Sequence, residues 1–270
     1  ATTNNSTIRL DGNLSFSDSL TLASGHFNTN GKSVFGKNFN LTGNASRTLT
    51  LGSSEILLNE GIWNVDDPTN LTLSAGTSEI ILKSHGDTVG FVGGNLSYYD
   101  LRFQTDSVMY SSMTGSNSFN KLIVDAGNSL SLKAGSTQTT VQLLASGNCE
   151  KDLSIQSDTP GSPASFSQPS GTINSNFVNI KDNTASGGAT FNANQAIDLG
   201  GNSGWNFPVF NVLGVSINKT NPTCPTPNNG SVTAQVSGGV APFSYKWNTL
   251  ATLVTLTNLS QGTYSVTVTD

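Results

Sequence analysis

The constraint that most narrows the fold is a short unit that keeps returning: a strand-type triplet of apolar residues around a middle position, closed off by Gly, Asn or Ser. Leu20-Thr21-Leu22, Phe39-Asn40-Leu41, Leu49-Thr50-Leu51, Leu71-Thr72-Leu73, Leu101-Arg102-Phe103, Leu122-Ile123-Val124 and Leu130-Ser131-Leu132 all follow it. Its clearest restatement sets Leu49-Thr50-Leu51-Gly52-Ser53-Ser54-Glu55-Ile56 against Leu71-Thr72-Leu73 and then Gly76-Thr77-Ser78-Glu79-Ile80. The offset is roughly 22 to 24 residues, a period that belongs to chains stacking on themselves. One coil cannot bury its inward Leu, Ile and Phe; coils stacked at about 4.8 Å build a continuous apolar column. Residues 1–207 are therefore expected to form a right-handed parallel β-helix of roughly eight or nine turns, at about 20 to 25 residues per turn. No window of a dozen residues shows three-four spacing free of Gly or β-formers, which argues against helices. The competing arrangement is a pair of ordinary sandwiches, with the irregular stretches Asp87 to Phe91 and Thr105 to Ser118 acting as hairpins.

From Val215 the rhythm changes to longer period-two strands. Val215 and Ile217 alternate with Ser216 and Asn218; Val232, Ala234 and Val236 with Thr233, Gln235 and Ser237; Tyr264, Val266 and Val268 with Ser265, Thr267 and Thr269. Such alternation marks half-buried strands. Asn228-Asn229-Gly230, Gly238-Gly239 and Gln261-Gly262 lie between them and are expected to supply the positive φ of tight turns. Phe243, Tyr245 and Trp247 share one face of a strand, and Leu259, Gly262 and Tyr264 fit a corner in which a tyrosine hydroxyl bonds back to the upstream backbone. The expectation for 215–270 is an immunoglobulin-like β-sandwich, joined to the β-helix by a linker at 208–214.

Two resemblances sharpen this all-β reading. Pro222-Thr223-Cys224, Asn228-Asn229-Gly230-Ser231, Gly238 to Tyr245, Trp247 and the ending Gly262 to Asp270 closely resemble the SprB repeat. That resemblance implies a module of very large adhesins of gliding bacteria, exported by the type IX secretion system. It also implies a short Asn-Gly-Cys continuation beyond Asp270, and with it a partner for Cys224. Further upstream, Phe177 to Asp182, Gly187-Gly188, Phe191-Asn192-Ala193 and Asp198 to Phe207 resemble the closing coil of bacterial secreted β-helix regions, in which Trp205 and Phe207 cap the open end of the apolar column.

Composition limits the function classes. Charged residues make up 11% of the 270, against roughly 25% in ordinary globular proteins, so hydroxyls, amides and the 28 glycines carry solubility. The net charge of −5 is mild, and the scattered Lys and Arg form no basic stripe for nucleic acid. The longest apolar runs fall far short of the roughly 20 residues that span a bilayer. Residue 1 opens into polar sequence without a charged head or apolar core, the expectation being a removed signal or a start within a longer protein.

Chemistry-bearing residues are sparse. Asp66-Asp67 precede Pro68 and read as a turn; Glu55 and Glu79 occupy equivalent repeat positions and read as a surface ladder, not as opposed acids. His26 and His85, each beside a glycine, read as exposed loop residues. No calcium-loop pattern is present, so no catalytic residue, cofactor or metal is expected. Cys149 and Cys224 are read either as two unpaired thiols or as a bridge between themselves, Cys149 also as a reactive thiol. Trp63 and Trp205 are candidate carbohydrate contacts, Trp205 also a packing residue. Asp87-Thr88-Val89 and Asp106-Ser107-Val108 are similar to an O-glycan acceptor pattern of the gliding-bacteria group, making Thr88 and Ser107 candidate attachment points. The Asn-x-Ser/Thr triplets are what so Asn- and Thr-rich a chain produces by chance.

The expected function is a non-catalytic, extracellular segment of a giant cell-surface adhesin for gliding motility and attachment. Its expected partners are external surfaces or polysaccharide, neighbouring repeats of the same chain, and the secretion and gliding machinery. A carbohydrate-binding module and a β-helix polysaccharide lyase or hydrolase are the alternatives.

Overall fold

The computed structural model describes residues 6–208, 212–224, 228–239 and 241–270. They divide into two compact units, Ala1–Pro208 and Val209–Asp270. Among the described residues every regular element is a strand. Of the expected linker, residues 209–211 lie outside the described set, and Gly214 already opens a strand of the second unit.

The first unit is a parallel β-solenoid of about nine turns, each turn contributing one strand to each of two nine-stranded sheets. One sheet climbs from Leu14–Ser15 through Val34–Gly36, Glu55–Asn59, Glu79–Ser84, Asp100–Thr105, Ser118–Val124, Thr137–Ala145 and Ala164–Ser167 to Asn183–Ser186. The other climbs from Ser19–Thr21 to Ile197–Asp198. A third face exists only at the ends, as a four-stranded sheet ending at Leu71–Ser74 and a three-stranded one made by Thr172–Asn176, Thr190–Asn194 and Trp205–Asn206. The stretches considered as hairpins contain the parallel strands Thr88–Val92 and Met109–Thr114, which rules out the sandwich pair.

Stacking is in register, so like residues form columns. Val34, Ile56, Ile80, Leu101, Leu122 and Leu143 rise inside the first sheet, and all are buried. Phe39, Trp63, Phe91, Met113 and Leu132 rise inside the second. Burying each such side chain contributes roughly 1.5–3 kcal/mol, and no single coil offers the partner surface. The register also corrects the repeat alignment: Leu49 stacks under Leu73, not Leu71, and Leu71 sits on Arg47. That one register continues through Glu55 under Glu79. The intervening corner requires glycine, because Gly76 has φ +61° and a Cβ there would lie 2.2 Å from the carbonyl oxygen of Gly52.

Arg47 breaks the apolar rule, since its alternation points it inward and it is fully buried. Its Nη2 donates to the carbonyls of Asp67 at 2.7 Å and Thr69 at 2.8 Å, so the guanidinium braces the turn above. His26 is not in a loop: it lies in the strand Gly25–Asn28, half-buried, with Nε2 3.1 Å from Thr50 Oγ1. At the far end Trp205 packs edge-on against Phe191 at 5.2 Å, and Phe207 packs partly buried on the same core.

The second unit is antiparallel. Gly214–Thr220, Gly230–Ser237 and Thr255–Leu259 form a three-stranded sheet, and Ser244–Trp247 pairs with Val266–Thr269. A small core of Val232, Ala234, Trp247 and Leu256 joins them, with Tyr245, Tyr264 and Val266 against it. Of the turn residues expected at positive φ, Gly238 and Gly239 adopt it. Gly230 instead serves close approach, since a Cβ there would meet the Leu259 carbonyl oxygen at 2.9 Å. Val215 and Ile217 face the same side as Val236 and Ala234. Yet each is 44% exposed, while Ala234 is 3% exposed. The core face therefore stays open along this edge strand.

Candidate binding groove

Neither candidate carbohydrate platform is on the surface. Trp63 has no exposed area. It stacks between Phe39 at 4.8 Å and Phe91 at 6.5 Å in the inward column. Trp205 is 9% exposed, and its indole N–H donates to Asn183 Oδ1 at 2.8 Å. Both readings as sugar contacts are corrected: stacking turns these rings into the column, where their apolar faces meet other side chains. Thr88 is exposed but opens a strand, stacked beside Tyr110. Ser107 is half-buried in the bend after Thr105, whose hydroxyl accepts its N–H at 3.1 Å.

Glu55 and Glu79 do not oppose each other across a cleft. Glu55, Glu79, Asp100 and Lys121 form one outward row up the first sheet. Burial, the largest cause, pushes the Glu79 carboxyl above its ordinary range; Arg102 opposes this, while Asp100 and Glu55 add to it. Asp67 caps a turn, accepting the Thr69 N–H at 2.8 Å, and hydrogen bonding from Thr69, its side chain first and then its backbone, holds the carboxyl low. His85, exposed, lies 2.8 Å from Asp106. Cys149 and Cys224 are exposed and unbridged. Among the described residues no three His, Cys, Asp or Glu side chains converge as metal ligands, and no helix is long and apolar enough to cross a membrane.

One cleft lies where the ladder forks. Thr137–Ala145 pairs with the strand below from Thr139 to Ala145, but the strand above, Ala164–Ser167, meets only Thr137 to Thr139. The chain then departs to form Thr172–Asn176 in another sheet. Between Val141–Ala145 and Thr172–Asn176 a cavity of about 570 Å³ remains. Ile123 and Leu144 supply apolar lining, and Gln142, Asn174, Asp125, Glu150 and Lys151 polar lining. Leu144 ends an outward row of Phe35, Leu57, Ile81, Arg102, Ile123 and Leu144. Gln168 crosses the fork, its Oε1 accepting the Leu143 N–H at 2.9 Å and its Nε2 donating to the Ser170 carbonyl at 2.9 Å. Sequence reasoning missed this site. The only local signal is a strand-compatible run, Thr137 to Ala145, followed by the Gln168-Pro169-Ser170-Gly171 break.

In the second unit the tyrosine corner forms as expected, with the Tyr264 hydroxyl donating to the Ser260 carbonyl at 3.1 Å. Trp247 anchors the core, its N–H donating to the Leu253 carbonyl at 2.7 Å. This unit also carries the family likeness. Residues 216–252 match the family model of the SprB repeat. The matched SprB segment runs from the first antiparallel strand through Trp247 and stops before Thr255–Leu259. Comparison with curated proteins and with solved structures returns no match.

Proposed function

We propose that this chain is a non-catalytic segment of a very large cell-surface adhesin of the gliding-motility type, exported by the type IX secretion system. The observation that carries the reading is the SprB repeat at 216–252 following a nine-turn solenoid in one chain. The solenoid serves as a shaft whose coil-to-coil backbone bonds bear load, and the second unit is an immunoglobulin-like sandwich that begins an array. The open core face at Val215 and Ile217 favours such a setting, because a neighbouring strand laid there would remove apolar area from water. Hydroxyl- and amide-bearing outer rows offer weak contacts to external surfaces or polysaccharide that gain strength by repetition. In this reading Thr88 and Ser107 carry O-linked glycans, which a native mass above that of the bare chain would reveal.

The deciding experiment is labelling of intact source cells with antibodies raised against the recombinant chain. Labelling without permeabilisation, and loss of attachment or gliding when the antibody is added, is the expected result. Labelling only after permeabilisation overturns the reading.

A further inference from the structure

We propose that the fork between Val141–Ala145 and Thr172–Asn176 binds an extended, uncharged polypeptide segment, which adds as a strand along the open edge of Val141–Ala145. The inference goes beyond the surface role and does not depend on export or gliding.

The first support is the edge itself. In a strand the N–H and C=O of one residue point to the same side, and the pattern repeats every second residue. The Leu143 N–H points into the fork, where it meets Gln168. The Leu143 carbonyl and both backbone groups of Ala145 therefore point there too, and no strand pairs with them on that side. An unpaired edge is a template for another chain.

Gln168 supplies the second support. Its carboxamide has the chemistry of a peptide group, is buried at 6% exposure, and holds the position a partner strand's carbonyl would take. The opposite wall repeats the device. Thr172–Asn176 is the edge strand of its own sheet. Its Asn174 carbonyl and Asn176 N–H are bridged to the Ser146 hydroxyl at 3.5 and 3.1 Å. At the Gln168 end a side chain thus occupies a position that elsewhere in the solenoid belongs to backbone, and at the other end the Ser146 hydroxyl stands beside a backbone bond from the Gly147 N–H to the Asn176 carbonyl.

The side chains around the edge define the ligand. Leu144, which lines the cavity beside Ile123, is 44% exposed, an apolar side chain on an outward surface. Asp125 is already held by Arg102 at 2.9 Å, which leaves Glu150 beside Lys151, so no excess of either sign faces a ligand. A charged segment gains little there, whereas one rich in Ser, Thr, Val and Leu satisfies both the edge and the apolar positions.

The test uses the full chain and a fluorescein-labelled nonapeptide, TQTTVQLLA, which is the sequence of the strand Thr137–Ala145, followed by anisotropy. A second peptide carries N-methyl groups at alternate residues, which removes backbone donors and keeps the side chains. Saturable binding of the first peptide, at least tenfold weaker binding of the second, and severalfold tighter binding to Gln168→Ala are expected. Equal binding of the two peptides, or no saturable binding of either, overturns the proposal. Should Gln168→Ala fail to fold, the two-peptide comparison on the unaltered chain decides the matter alone.

Discussion

The indole N–H of Trp63 donates to the hydroxyl of Tyr98 at 3.2 Å, and that hydroxyl donates in turn to the Gly93 carbonyl at 2.8 Å. The rings meet edge to face, 6.0 Å apart. Two residues from different coils thereby satisfy each other's polar atoms inside an apolar column, and burial pushes the Tyr98 hydroxyl well above the ordinary tyrosine range. Tyr98→Phe leaves the buried Trp63 N–H unpaired and takes one of two donors from the Gly93 carbonyl, which keeps the Leu96 N–H, at a cost of about 1–3 kcal/mol. Trp63→Ala is expected to cost about 3–5 kcal/mol. Urea unfolding checks both, and an unchanged midpoint for Trp63→Ala would contradict its place in the core.

Arg47 offers a second test of the interior. Its Nη2 bonds hold the carbonyls of Asp67 and Thr69, but Nε and Nη1 have no partner among the described residues. Hydrogen bonds to a charged group are worth about 1.5–3 kcal/mol each, and relief from burying the charge offsets part of that. Arg47→Ala is expected to lower stability by about 2 kcal/mol, with Arg47→Lys partly restoring it in a thermal melt.

The acid row makes stability depend on pH. Because burial raises the folded-state pKa of Glu79, helped by Asp100 and Glu55 and opposed by Arg102, the folded chain holds its proton to higher pH than the unfolded chain. This contribution is therefore fully favourable below the unfolded Glu value of about 4.3 and is lost as pH rises through the raised folded value. Glu79→Gln should raise the melting temperature at neutral pH and lose that advantage in acid. An equal gain at both pH values would show that charge is not the cause.

In the second unit Tyr264→Phe removes the bond to Ser260, an exposed bond at the low end of about 0.5–1.5 kcal/mol. Trp247→Ala, at 1% exposure, should cost about 3–5 kcal/mol. Ile217→Thr, at 44% exposure, should stay within about 0.5 kcal/mol. Calorimetry of the whole chain would show whether these losses fall on one transition and spare that of the solenoid.

Much of the solenoid was legible because strand alternation and coil length are local properties. Leu-x-Leu triplets and the Glu55/Glu79 equivalence needed only counting, and Leu259, Gly262 and Tyr264 were enough to place the corner. The two tryptophans were not legible in the same way. Ile62-Trp63-Asn64 reads as a strand with either parity, and a shift of one residue moves a side chain to the opposite face; Ile62 is the one left 41% exposed. The Leu49 triplet likewise matched Leu71 by sequence, although the ladder pairs it two residues further on.

By itself, the sequence determined that this chain coils in short stacked turns, that its polar surface is built of hydroxyls and amides, and that a SprB-type segment follows. These follow from period, composition and turn residues, each set within a few positions of chain. Only the tertiary structure decided which rings lie in the column, that a buried arginine holds a turn, and that the ladder forks at Gln168. Those outcomes depend on which coil lies above which, and a residue's inward or outward direction is fixed only when the neighbouring coil sets the register.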